Sequence, residues 1–118
     1  MNEAPRPASV TIDKRDRAIV AQPQTKLMDD EPLKTLDQLI NQNASAQSGI
    51  TLVVLDLCRV QILPSLALGL FVQICRKCKA RQQKLILAAL QPQIRQVFSV
   101  TRLDQLFEFA DTVENALK

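Results

Sequence analysis

The most constraining stretch of the chain is the run ITLVVLDL, Ile50 to Leu57, which is almost wholly apolar and rich in Val, Ile and Leu. A strand of that composition leaves neither face to water, so it belongs at the centre of a sheet with helices on its flanks. The chain supplies one at once. Through the turn CRVQILPS it enters LALGLFVQICRKCKAR, where helical spacing puts Ala67, Phe71, Ile74 and Cys78 on one stripe with Leu68 and Cys75 beside it. Gln73, Arg76, Lys79 and Ala80 lie broadly opposite. A second apolar run, KLILAAL from Lys84 to Leu90, completes a strand–helix–strand unit whose geometry favours parallel pairing of its strands.

The remaining segments extend that unit. Ser9 to Arg15 and the following AIVAQ read as a hairpin towards a sheet edge, given their polar content and Pro23. Asp29, Asp30 and Pro32 open a helix carrying Leu33, Leu36, Leu39 and Ile40 at helical spacing, and Gly49 serves as its stop. Gln91-Pro92 opens another helix with Ile94, Val97 and Phe98, then Leu103, Leu106 and Phe107, for its inner face, with a break expected near Thr101-Arg102. A short strand over Phe107 to Ala110 and a final helix capped by Thr112 end the chain. Residues 1–8, with two prolines, read as a flexible N-terminal arm, and 9–118 as one domain. The fold class is α/β, a mixed sheet of about four to five strands packed with about four helices.

Composition narrows the function. At 118 residues and 47% hydrophobic the chain supports a single core. It has no apolar run near the roughly 20 residues of a membrane span and no signal-peptide layout at its start, so a soluble, cytoplasmic protein is expected. Its three cysteines, Cys58, Cys75 and Cys78, are an odd number and fit reduced thiols. Cys75 and Cys78 form a CxxC pattern inside a helix rather than at its start, with no second pair for zinc, and read as packing. The absence of histidine removes the usual general base, and two glycines cannot build a phosphate loop. Asp56 at the strand end reads as bonding the backbone of the turn after it. No catalytic residue, metal site or cofactor is expected. A net charge of +3, with Arg76, Lys77, Lys79, Arg81 and Lys84 clustered but no Tyr or Trp, describes a solvated helix face better than a nucleic-acid site.

Ser65, where the turn becomes a helix, has two readings. Its hydroxyl can cap the first turn, contributing about 1 kcal/mol. Alternatively it is a modification site, because the same N–H groups and the positive helix end cradle phosphate. The local sequence favours the cap. Leu66 and Leu70 fall to one side of the buried stripe, as core flank or as a small exposed patch that binds a partner.

The order of elements, centred on VVLDLCRVQILPSLALGLFVQICRKCKARQQKLILAAL and closing with QIRQVFSVTRLDQLFEFADTVENAL, resembles the STAS domain of bacterial anti-sigma-factor antagonists from about Ser9 to Leu117. Members of that family carry a loop of the form Asp-Ser-Ser-Gly-Leu-Gly, whose first serine accepts phosphate. Setting LDLCRV against the family's Leu-Asp-Leu-Ser-x-Val places Pro64 at the loop aspartate, Ser65 at the phosphoacceptor serine, Leu66 at the second serine and Ala67 at the first glycine, with Leu68 and Gly69 matching. The resemblance implies a regulatory binder rather than an enzyme. Its partners would be an anti-sigma factor with serine-kinase activity and a phosphatase, with Ser65 as candidate phosphoacceptor and Pro64, Leu66, Gly69 and Leu70 as candidate partner-binding residues. The alternative is a non-switching STAS scaffold or adaptor of a signalling or transport assembly.

Overall fold

The computed structural model describes residues 9–118. The arm expected over residues 1–8 lies outside the described residues. The elements run β1 (Val10–Arg15), β2 (Ala18–Pro23), α1 (Asp30–Asn43), β3 (Leu52–Asp56), α2 (Ser65–Ala80), β4 (Lys84–Ala88), α3 (Pro92–Val100), a single 3-10 turn (Leu103–Gln105), β5 (Glu108–Ala110) and α4 (Val113–Leu117). The five strands form one sheet in sequence order, antiparallel between β1 and β2 and parallel from β2 to β5.

Period-2 alternation divides the sheet between two layers. Ile19, Ala21, Val53, Leu55, Leu85 and Leu87 face α1, α2 and α3 and join the larger core with Leu36, Ile40, Phe71 and Ile74. Val20, Val54, Ile86 and Ala88 point the other way and are covered by α4 through Ala116. The central strand is therefore covered on both faces, as its composition demands, and its regular pairing is shorter than the apolar run. Thr51 and Leu52 both donate to the Arg17 carbonyl, and the Ile50 carbonyl accepts Gln83 Nε2 at 3.1 Å instead of a neighbouring strand. Gln83, 5% exposed, also donates to the Ala44 carbonyl at 2.7 Å, tying the end of α1 to the entry of β3.

Several local expectations are corrected. β1 is an edge strand, whereas β2 lies inside the sheet, because the chain returning from α1 pairs with its free side and buries Ala18 to Ala21. The helix α1 ends at Ala44, whose N–H bonds the Ile40 carbonyl, and Gly49 (φ 81°) instead turns the chain towards β3. The break expected near Thr101-Arg102 is present, with Arg102 at φ 62°. That reversal rotates the next turn, so Leu106 is 46% exposed rather than on an inner face, while Phe107 stays buried. Thr112 caps α4 by accepting the Asn115 N–H at 3.0 Å.

Candidate functional site

Two segments that lead into helices lie side by side. Ile62 and Gln61 donate to the Lys26 carbonyl at 2.9 and 2.8 Å, and Met28 donates to the Ile62 carbonyl at 3.1 Å, making a small parallel bridge between Leu27 and Ile62. The bridge sets the starts of α1 and α2 next to each other. Further along, Lys77 pairs with Asp37 at 3.1 Å and Arg81 donates to Asn41 Oδ1 at 2.9 Å, so the two helices run in the same direction.

At the start of α2, Pro64 takes the N-cap position (φ −64°, ψ 159°), and its carbonyl accepts the Ala67 N–H at 2.9 Å. Proline holds φ near that value and has no N–H to lose, so the turn enters the helix without strain. Ser65 is the first helical residue, not the cap, and no side chain caps this helix. The capping reading of Ser65 is therefore corrected: a residue one position into the helix cannot swing its hydroxyl back over the free N–H groups, and Pro64 has no oxygen on its side chain to do so. Ser65 instead is exposed to solvent.

The other candidate residues lie along a groove whose walls do not include Ser65. Leu66 is 67% exposed and Leu70 half-buried, and with Gly69, Gln73 and the α1 residues Asp30, Leu33 and Lys34 they line a groove of about 270 Å³. Pro64, half-buried, borders a continuation of it with Met28 and Asp29. Leu70 thus both packs on the core and faces the groove. Two apolar residues at this end were missed from sequence: Ile62, 57% exposed, and Leu27, 38% exposed. No sequence signal separates Ile62 from its apolar neighbours Val60 and Leu63, and the placing of Leu27 depends on a pairing between distant segments.

Gly69 is open: a Cβ built there meets no atom within 4 Å. Packing therefore does not require glycine at this helix interior, where it costs about 1 kcal/mol relative to alanine. Gly69→Ala is expected to raise stability by about that amount in urea unfolding while narrowing the groove.

The remaining candidates lie elsewhere. Asp56 accepts the Cys58 N–H at 3.1 Å and Gln22 Nε2 at 3.0 Å, the turn-bonding role expected of it. Cys58 is exposed, and partial burial together with the Asp56 carboxylate raises its thiol pKa. Cys75 and Cys78 are buried in the core, and burial pushes Cys78 up to about 11, which makes it a packing residue rather than a thiolate. Among the described residues no helix is long and apolar enough to cross a membrane.

Comparison with known proteins agrees with this architecture. The family model of the STAS domain matches residues 12–116. An anti-sigma factor antagonist from Mycobacterium paratuberculosis superposes with a TM-score of 0.75 at 23% identity, over 92% of this chain and 89% of that one. The Bacillus cell fate determinant SpoIIAA in its phosphorylated form gives 0.70 at 19% identity, over 92% and 96%. A chain from the stressosome, a signal integration and transduction hub, gives 0.69 at 15% identity, over 91% and 92%.

Proposed function

The chain belongs to the STAS domain family, and from that premise we propose that it is a regulatory protein-binding domain that engages an anti-sigma factor with serine-kinase activity and is released from it by phosphorylation of Ser65. The observation that carries this reading is the exposed Ser65 standing in the first turn of α2, next in the chain to the exposed Leu66 and three residues after the exposed Ile62. Apolar surface of that kind gains by being covered. A kinase that covers it has the hydroxyl within its footprint.

The switch follows from charge. Phosphate adds about −1.5 to −2 charges at neutral pH together with tightly held water. At the first turn of α2 the helix dipole tolerates that charge, so the domain itself stays folded. A partner packed over Leu66 would have to desolvate it, and Asp29 and Asp30, which border the same groove as Pro64 and Leu66, add like charge beside it. Binding is thereby lost without unfolding. In this role the chain is substrate and binder, the partner supplies ATP and the transfer chemistry, and a phosphatase resets the serine.

A second reading has its own support. Pro64 stands where a carboxylate could orient the serine, and the fold is shared with a stressosome chain, so a scaffold that binds without switching is the competitor. Incubation with the anti-sigma kinase and ATP separates the two: the switch predicts a gain of about 80 Da that Ser65→Ala abolishes. Tight binding with no mass gain would establish the scaffold.

A further inference from the structure

β1 ends the sheet on one side, and among the described residues no strand pairs with its outer edge. The ladder to β2 sets which backbone groups that edge offers. Gln24 donates to the Ser9 carbonyl at 2.7 Å, and bonded positions alternate along an antiparallel pair, so Ser9, Thr11, Asp13 and Arg15 turn their N–H and C=O groups towards β2. Val10, Ile12 and Lys14 therefore turn theirs outward. Val10 is buried and Ile12 half-buried against the larger core, which places the side chains of these three on the helix side of the sheet. Above them, α1 lies over β1 and β2, with α2 on its inner side, where Asp37 and Asn41 of α1 reach Lys77 and Arg81. The opposite flank of α1 holds Pro32, Thr35, Leu39 and Asn43 at spacings of three and four, and so faces the open edge without a charge. Leu39 is half-buried there.

We propose that two copies of this chain join edge to edge along β1, about a two-fold axis at Ile12. An open strand edge takes an extended strand, and the uncharged helix flank above it takes a second helix. A second copy supplies both in one body. With the axis at Ile12, that residue faces its own symmetry mate and Val10 faces Lys14, so every outward backbone group is paired. Thr11 then faces Asp13, and no two like charges stand directly opposite. Strands lie about 4.8 Å apart, so helices seated over each β1–β2 pair come to about 10 Å from one another, the distance at which helices pack. The flank carrying Leu39 is what meets there. An unrelated extended peptide would fill the strand edge and leave that flank bare. Ser65 stands on α2, across α1 from this edge, so the dimer leaves the proposed switch accessible and does not depend on it.

Analytical ultracentrifugation of the full chain should show a reversible monomer–dimer equilibrium. Because Ile12 faces itself, Ile12→Lys and Ile12→Glu should each weaken it about tenfold or more, with circular dichroism melts verifying that each variant is folded. An equimolar mixture of the two should recover the dimer, since only the mixed pair joins opposite charges. A milder probe uses chains carrying Cys58→Ser, in which Ile12→Cys brings two thiols within disulfide reach across the axis, whereas Lys14→Cys holds them more than about 10 Å apart. Mild oxidation should link the first into covalent dimers and leave the second monomeric on a denaturing gel. A chain that stays monomeric at every concentration, a mixture of folded variants no stronger than its components, or Ile12→Cys linking no faster than Lys14→Cys would each overturn the proposal.

Discussion

Phe98→Ala is expected to destabilise the domain by about 3–5 kcal/mol, the largest effect of any single truncation in this chain. The sequence contains four phenylalanines and no other aromatic residue, and all of them meet at one place. Phe98 is fully buried and central: it stacks on Phe71 at 6.3 Å between ring centres and meets Phe107 and Phe109 edge-on at 5.4 and 5.7 Å. It therefore joins α2, α3 and β5. Edge-on and stacked pairs contribute beyond their buried area, and the void left by alanine cannot collapse, because three rings and the sheet define its walls. The Arg95 guanidinium, 3.7 Å from the centre of the Phe109 ring, closes the outside of the cluster. For a domain of this size the loss corresponds to a fall in Tm of about 15 °C, read by circular dichroism. A fall of under about 4 °C would mean that the cluster is not the anchor of α3.

Ser65→Asp should have the largest effect on binding. Placed at the first turn of α2, the carboxylate lies at the favourable end of the helix, so Tm should move by no more than about 2 °C. Against the anti-sigma kinase proposed as partner, however, the charge would sit beside apolar surface that the partner would cover, and removing it from water without a counter-charge costs several kcal/mol. A loss of affinity of about 100-fold, or about 2.7 kcal/mol, is expected, with Ser65→Ala binding as the wild type does. Isothermal titration of the three proteins measures this directly. Equal affinities for Ser65→Asp and Ser65→Ala would show that charge at this point does not control binding.

Much of the fold was legible because it is local. The apolar runs of β3 and β4 mark strands covered on both faces, and the helical stripe of α2 specifies its own period and therefore its layer. Arg102 could be anticipated as a break because the apolar spacing slips there, and Thr112 because its side chain acts within one turn. The resemblance of the central segment to STAS domains likewise rested on contiguous sequence.

What was not legible depends on distant contacts. The interior position of β2 is set by β3 pairing along its free side, which the polar residues of the hairpin do not announce. The carbonyl of Ile50 leaves the sheet because Gln83, more than thirty residues on, takes it. The gathering of all four aromatic rings likewise requires the folded order of α2, α3 and β5. Ser65, Leu66 and Leu70 could be placed at the start of α2 in advance, yet the exposed apolar residues at this end of the domain are not confined to that helix. Leu27 and Ile62 stand side by side only because the leads into α1 and α2 pair. The Ser65 cap failed for a smaller reason: the helix starts at the serine itself, and Pro64 occupies the capping position.

In the proposed switch, phosphate on Ser65 and a bound partner exclude each other. Its most direct test is to recover the chain from its own cells by a tag, separate the partner-bound from the free pool, and read the intact mass of each with and without phosphatase. Unmodified chain is expected in the bound pool, and in the free pool a fraction heavier by about 80 Da that phosphatase removes and Ser65→Ala never shows. Phosphate in equal proportion in both pools, or in neither under any growth condition, would contradict it.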